Sequence, residues 1–308
     1  MNDPDHFTTF VGNLPAWWWA VLALCLAGIA LLRGLVRERP NAARELALDA
    51  LIAQGGPAET SAEQDALDRI REAARATRQR ATQGSGGLRA LYRTPWYVFL
   101  GDRAADVPKL LSAARDSVPL DTTGTWQWRA LRSMIAIGAE PDVIEAPDAL
   151  STQRAWCHAL LALAQERGRL PLNGVVVCVD AHRLRQEHAV VAADATRLRR
   201  CVDQIASQLQ LRLPVYVVVT GLEALDGFDT VRSALPTDVL AQAVGHRLHS
   251  DRRTSAHEVI DALFTRLHTL RMALLRARPA AADRHAVHLF IEGLRATESG
   301  LHVLATQL

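Results

Sequence analysis

Gly174-Val175-Val176-Val177-Cys178-Val179 holds no charged side chain and no break in its apolar character, as a strand covered on both faces requires. Val215-Tyr216-Val217-Val218-Val219 repeats that pattern, and Tyr97-Val98-Phe99-Leu100 is a shorter version ending at Gly101. Between these runs lie helical stretches: one through Lys109-Leu110-Leu111, one capped by Ser151 with Trp156, Leu160 and Leu163 at helical spacing, and a long one from about Ala189 to Leu209. Met134-Ile135-Ala136-Ile137 and Val143-Ile144 flank a turn at Ala139-Glu140-Pro141 and read as a hairpin. Strands alternating with helices imply an α/β fold, with a mostly parallel sheet and helices on both faces. Beyond about Leu240 the chain reads as helix only, broken near Ser250 and at Arg278-Pro279-Ala280.

Working outward, the N-terminal side is different. Leu14 to Leu32 carries no charge, and nineteen residues at helical rise cover roughly 28 Å, the thickness of a hydrocarbon core. Asp3 and Asp5 precede the run, whereas Arg33, Arg37, Arg39 and Arg44 follow it, which places the remainder of the chain in the cytoplasm. Trp17, Trp18 and Trp19 stand where an interfacial aromatic belt would lie. Pro40 suits the first turn of a helix reaching about Gln54, and Gly55-Gly56-Pro57 stops it. Thr60-Ser61-Ala62-Glu63 is a capping box opening a second helix to about Gln83, so the pair reads as a hairpin. Arg71, Arg75 and Arg78 share one face of that helix, suited to a partner, to anionic lipid head groups or simply to solvent. Gly84-Ser85-Gly86-Gly87 separates it from the sheet domain.

The expected organisation is a non-cytoplasmic segment 1–13, a transmembrane helix 14–36, a helical hairpin and linker 37–87, the α/β domain 88–240 and a helical extension 241–308. Of the 308 residues, 49% are hydrophobic and 22% charged, enough for a sizeable core. A net charge of only +2, without a basic stripe, argues against a nucleic-acid partner. Cys25, Cys157, Cys178 and Cys201 are scattered and form no CxxC pair, which reads as reduced thiols.

The loop after Leu100 decides the chemistry. In a P-loop GTPase the first strand runs into a glycine-rich loop whose N–H groups and lysine hold phosphate. Aligned on Gly101, this loop has Asp106 at the second glycine, Val107 at the lysine and Pro108 at the magnesium-binding Ser/Thr. Asp106 adds a negative charge, Val107 supplies no positive one, and Pro108 offers neither hydroxyl nor N–H. No catalytic residue, metal or cofactor is expected.

Three phrases resemble one family. Leu91-Tyr92-Arg93-Thr94-Pro95-Trp96-Tyr97-Val98-Phe99-Leu100-Gly101 looks like the opening of the cytoplasmic domain of the IcmF/TssM family, inner-membrane components of type VI secretion systems. Leu170-Pro171-Leu172-Asn173-Gly174-Val175-Val176-Val177 and Leu213-Pro214-Val215-Tyr216-Val217-Val218-Val219-Thr220 resemble two further strands of that family, and Asp226-Gly227-Phe228 matches the turn that follows. The resemblance implies a P-loop GTPase-like sheet and an inner-membrane location. Where the family has DTAG this chain has Glu145-Ala146-Pro147-Asp148, and where it has TKCD this chain has Thr220-Gly221-Leu222-Glu223. Asp148 replaces a glycine that would meet the γ-phosphate, Gly221 cannot pack over a base, and Glu223 sets its carboxylate one methylene further out.

What this implies is a single-pass docking scaffold with a pseudo-GTPase domain. Its partners would be membrane lipids, a TssL/DotU-type inner-membrane component and the baseplate, with self-association possible. The competing reading is an NTPase using Glu145, Lys109 and Glu223; a third is a membrane-tethered regulator outside secretion. His246 with His249, and His285 with His288, stand at i, i+3, but no cluster completes a metal site around them. Asp180-Ala181-His182 follows a buried strand and reads either as functional or as a helix cap. Trp126 and Trp128 suit a sheet-edge face or a partner surface.

Overall fold

The computed structural model describes residues 16–83, 87–121, 126–240 and 255–308. The helices are α1 (Ala16–Gly55), α2 (Ser61–Thr82), α3 (Gly87–Arg93), α4 (Val107–Ala113), α5 (Asp142–Glu145), α6 (Leu150–Glu166), α7 (Ala181–Leu184) and α8 (His188–Gln208). They continue with α9 (Phe228–Ala234), α10 (Thr237–Leu240), α11 (Ala256–Ala277), α12 (Ala281–Arg295) and α13 (Glu298–Gln307). The strands are β1 (Trp96–Leu100), β2 (Val118–Pro119), β3 (Gln127–Ala130), β4 (Ile135–Gly138), β5 (Gly174–Asp180) and β6 (Val215–Thr220).

They form one six-stranded sheet in the order β2-β3-β4-β1-β5-β6. β1 lies parallel between β4 and β5, so Tyr97 sits beside both Ala136 and Gly174. β6 extends the sheet in parallel beside β5, whereas β3 and β2 are antiparallel. Alternation within the central strands divides the core. Trp96, Val98, Leu100, Ile135, Ile137, Val175, Val177 and Val179 pack beneath α6 and α8, with Leu160, Leu163, Leu198 and Ile205. Phe99, Ala136, Val176 and Cys178 face the other way and meet Val107 and Leu111 of the short α4. Both faces are covered, but unequally.

The hairpin expected across residues 134–144 is different. β4 pairs antiparallel with β3 through a turn closed by Leu131 N–H to Met134 O at 2.9 Å, and Val143 and Ile144 sit in α5. The apolar pair reads equally well in either state, because two residues carry no period. Trp126 and Trp128 are buried, Trp126 against Trp156 with ring centroids 5.7 Å apart, so neither is a partner surface. Ser151 lies inside α6, whose N-cap is Ala149 without a side-chain cap bond. β6 is not covered on both faces: Val215, Tyr216 and Val217 are all more than a third exposed.

At the N-terminal side the backbone is one 40-residue helix that runs through Pro40, so no new helix begins there. Residues 14 and 15 of the expected spanning segment, and the side chains of Trp17, Trp18, Trp19, Arg33, Arg37 and Arg39, lie outside the described part of the chain. Among the described residues no helix is long and apolar enough to cross a membrane. Val21, Leu22, Leu24 and Leu26 are exposed. Thr60 caps α2 by accepting Glu63 N–H at 3.2 Å, while the Glu63 carboxylate reaches back to Glu59 N–H rather than to that of Thr60.

The C-terminal half of α1 and the whole of α2 pack along α6. Buried Arg154 makes the main junction: its guanidinium donates to Glu63 at 2.6 Å and to Gly55 O at 3.0 Å, with Glu59 at 3.4 Å. At the far end of α6, buried Arg44 donates to Gly168 O at 3.0 Å.

Candidate functional site

In a doubly wound sheet, ligands bind beyond the C-terminal ends of the strands, where the connections diverge. Here that point is the end of β1, because the chain reaches β4 on one side and β5 on the other. The loop from Gly101 to Asp106 occupies it. Asp102 Oδ1 accepts Ala105 N–H at 2.9 Å and closes the turn. Asp106 adopts a left-handed backbone, φ 44°, and caps α4 by accepting Lys109 N–H at 3.1 Å. Pro108 stands in the first turn of α4, where a missing N–H costs nothing.

Val107 is 2% exposed and packs among Phe99, Leu111, Val176 and Cys178. A Cβ on Gly101 would come within 2.8 Å of the Val107 side chain and 2.9 Å of Ala105 Cβ. The loop therefore closes down on the sheet, with the Val107 side chain packed beneath Gly101.

The charged groups around the loop neutralise one another. Arg103 donates its backbone N–H to Glu145 at 2.8 Å and its guanidinium to both Glu145 and Asp142. Lys109 Nζ donates to Glu223 at 2.7 Å; this bond holds the ammonium pKa above its usual value and the Glu223 carboxyl below its own. Arg183 joins Asp194 at 2.6 Å and approaches Asp102 at 3.7 Å, while Arg197 also pairs with Asp194. Burial pushes the Asp102 carboxyl upward, offset in part by the Ala105 N–H and the Arg183 charge.

Beside the loop lies a cavity of about 350 Å³, lined by Asp102, Arg103, Glu145, Arg183, Asp194 and Arg197 among others. It brings three arginines together with three carboxylates, and every arginine there has a carboxylate partner. Cys178 lines it too, with its thiol pushed up to about 12 by burial, which leaves no thiolate for nucleophilic work.

The remaining expected positions spread out. Asp148 is exposed, 4.0 Å from Arg200. Gly221 has φ 72°, and a Cβ there would meet Asp180 Oδ2 at 1.9 Å, so a side chain at the TKCD-like position would be strained and would displace the Asp180 carboxylate. Asp180 accepts His182 N–H at 2.8 Å and caps α7, the helix-cap alternative for that loop. Arg71 bonds Asp68 at 2.7 Å and meets His158 at 3.1 Å, while Arg78 and Arg75 lie 3.4 and 3.9 Å from Glu166. The arginine face thus leans on α6. His246 and His249 lie outside the described residues; His288 contacts Arg271 at 2.7 Å.

Sequence reasoning missed Arg103, Arg183 and Arg197. Only their places after strand ends or on the helix beyond β5 could have signalled them, and their partners lie on other elements.

The profile of the IcmF-related N-terminal domain matches residues 151–308. Type VI secretion system component TssM1 of Pseudomonas aeruginosa (strain PAO1) is 25% identical over 211 residues, which cover 64% of this chain and 19% of that protein. This chain thus spans about a fifth of the length of that relative. No solved structure matches it. With the profile covering half of its residues, over α6, β5, β6 and the helical extension, the chain belongs to the IcmF/TssM family.

Proposed function

We propose that this chain is a membrane-anchored docking component of a type VI secretion complex, whose GTPase-like domain works without nucleotide. The observation that carries this reading is Val107, buried beneath Gly101 where a P-loop would carry its lysine. A central first strand that runs into a loop and then a helix, at the switch point of a parallel sheet, fits P-loop ancestry. Asp106, Asp142 and Glu145 put negative charge where phosphate would sit, and the nearby cations are already paired. Losing the lysine and the second glycine together removes most of the electrostatics that phosphoryl chemistry needs.

The anchor is the helix 14–36 with its uncharged run 14–32, a single pass in the inner membrane with the bulk of the chain cytoplasmic. The uncharged sequence, the arginines after it and the exposed Val21, Leu22, Leu24 and Leu26 support it. For docking, β6 is the outermost strand among the described residues, paired on one side only and with exposed apolar side chains. Such an edge calls for a cover, and strand addition by a TssL/DotU-type or baseplate component would supply one.

The second reading is a variant NTPase, favoured by the meeting of Lys109 with Glu223 at the strand ends. Thermal unfolding of the purified protein with millimolar GTP, ATP and their magnesium complexes separates the two. A site filled to 100 times its Kd stabilises the fold by about 2.7 kcal/mol. The scaffold reading expects no shift, and a clear one favours the NTPase.

A further inference from the structure

Two i, i+4 pairs face each other in the helical extension: His257 and Asp261 on α11, Glu298 and His302 on α13. One oxygen from each of Asp261 and Glu298, and a ring nitrogen of His302, lie within 4.8 Å of one another. The rings of His257 and His302 lie 9° from parallel with centroids 4.8 Å apart, and their Nδ1 atoms meet edge to edge at 2.6 Å.

One choice of tautomers satisfies both contacts of His257. The Thr306 hydroxyl donates its single proton to His302 O at 2.8 Å. His257 Nε2, 3.2 Å from that hydroxyl, must then be the donor to it. A neutral His257 therefore accepts at Nδ1, and the 2.6 Å contact requires His302 to donate from its own Nδ1. His302 Nε2 is left as a bare lone pair, 3.0 Å from Asp261 Oδ1. Two acceptors do not approach so closely without a positive charge between them: a proton or a metal ion.

We propose that this is a site for a divalent transition metal of the zinc type. His302 Nε2, Asp261 and Glu298 are the ligands, and His257 is the outer partner that orients His302. A borderline-soft dication takes one imidazole and two carboxylates readily and completes a tetrahedron with water. Bonds of about 2.1 Å give tetrahedral edges of about 3.4 Å, close to the 3.0 Å approach already present. An imidazole that binds metal through one nitrogen and donates from the other is the usual arrangement, here with a second imidazole as acceptor. Because α13 also packs on α8, a metal at this point would lock α11 against the helices that cover the sheet.

The test is zinc titration by calorimetry on the intact, chelator-treated protein, followed by thermal unfolding with zinc or magnesium alone. We expect one saturable zinc equivalent, a rise in melting temperature with zinc and none with magnesium. Asp261→Asn and His302→Ala should abolish that equivalent, and His257→Ala should weaken it by about 10–100-fold. Circular dichroism of each variant, together with His285→Ala as a control remote from the cluster, separates loss of ligands from loss of fold. No zinc bound, or an equivalent that survives Asp261→Asn in a folded protein, overturns the proposal.

Discussion

Asn173 and Trp96 clasp one another across the start of two parallel strands: Trp96 N–H donates to the Asn173 side-chain oxygen at 2.9 Å, and Asn173 N–H donates to Trp96 O at 2.8 Å. The same side-chain oxygen accepts from Arg167 at 2.6 Å, and Arg167 also reaches Thr94 O at 3.2 Å. Its guanidinium lies over the rings of Tyr92 and Trp96, 5.1 and 5.3 Å from their centroids. Tyr92, Thr94, Trp96 and Asn173 belong to the phrases by which the family is recognised. They converge at the end of the sheet opposite the Gly101–Asp106 loop, so this part of the resemblance records a structural clamp.

Breaking the clamp should therefore destabilise the domain without touching any surface. Asn173→Ala leaves the Trp96 N–H and part of the Arg167 guanidinium without acceptors, a loss of about 1–3 kcal/mol. Chemical denaturation of the variant beside the parent checks this, and an unchanged midpoint would refute the clamp.

The junction at Arg154 makes stability depend on acid. The Arg154 bond, then the Glu59 N–H, hold the Glu63 carboxyl below its unfolded value of 4.5. A depressed carboxyl contributes stability that is fully present above pH 4.5 and is lost as pH falls through its folded value. Melting temperature should thus fall more steeply below pH 4.5 in the parent than in Glu63→Gln, which has already lost the contribution. Parallel acid curves would show that the pair adds nothing.

Contacts of Arg75 and Arg78 with Glu166 change what the arginine face can test. Charge reversal would set new carboxylates against Glu166 and so mix stability with binding. Arg75→Gln with Arg78→Gln is cleaner: loss of two long, partly exposed pairs should cost no more than about 1 kcal/mol. If vesicles of anionic lipid still bind the variant as well as the parent, the face serves α6 and not the membrane.

Edge strand β6 yields the sharpest docking test. Val217→Lys places a charge on an exposed position and should leave the melting temperature unchanged, because such edges tolerate lysine. Co-purification with the neighbouring inner-membrane component of the secretion complex should be lost. Retained association in a folded variant would move the docking surface elsewhere.

How far the sequence could be read follows the same physics. β1 and β5 were legible because unbroken apolar runs leave one solution, and Thr60 with Glu63 marked the start of α2 by local chemistry alone. Val143 and Ile144 were misread because two apolar residues have no period, and only tertiary packing placed them in α5. β6 has the composition of a central strand; that it lies outermost depends on the order of its neighbours, which no single segment encodes. At the loop, the identities of Asp106, Val107 and Pro108 could be read from the sequence. The Arg103–Glu145 pairing across 42 residues could not. Asp261 and Glu298 escaped notice because each stands four residues from a histidine on a different helix, and searching for paired histidines passes over both.

The unbroken course of α1 has a mechanical consequence. Forty residues at helical rise make a rod of about 60 Å, and Arg44 at Gly168 and Gly55 at Arg154 fasten its lower part to the sheet domain at two separated points. A rod held at one point can swivel; held at two, it transmits tilt. Any leaning or rotation imposed near Ala16 would reach the sheet as a whole-body rotation, so the direction in which β6 faces is governed from the far end of the lever.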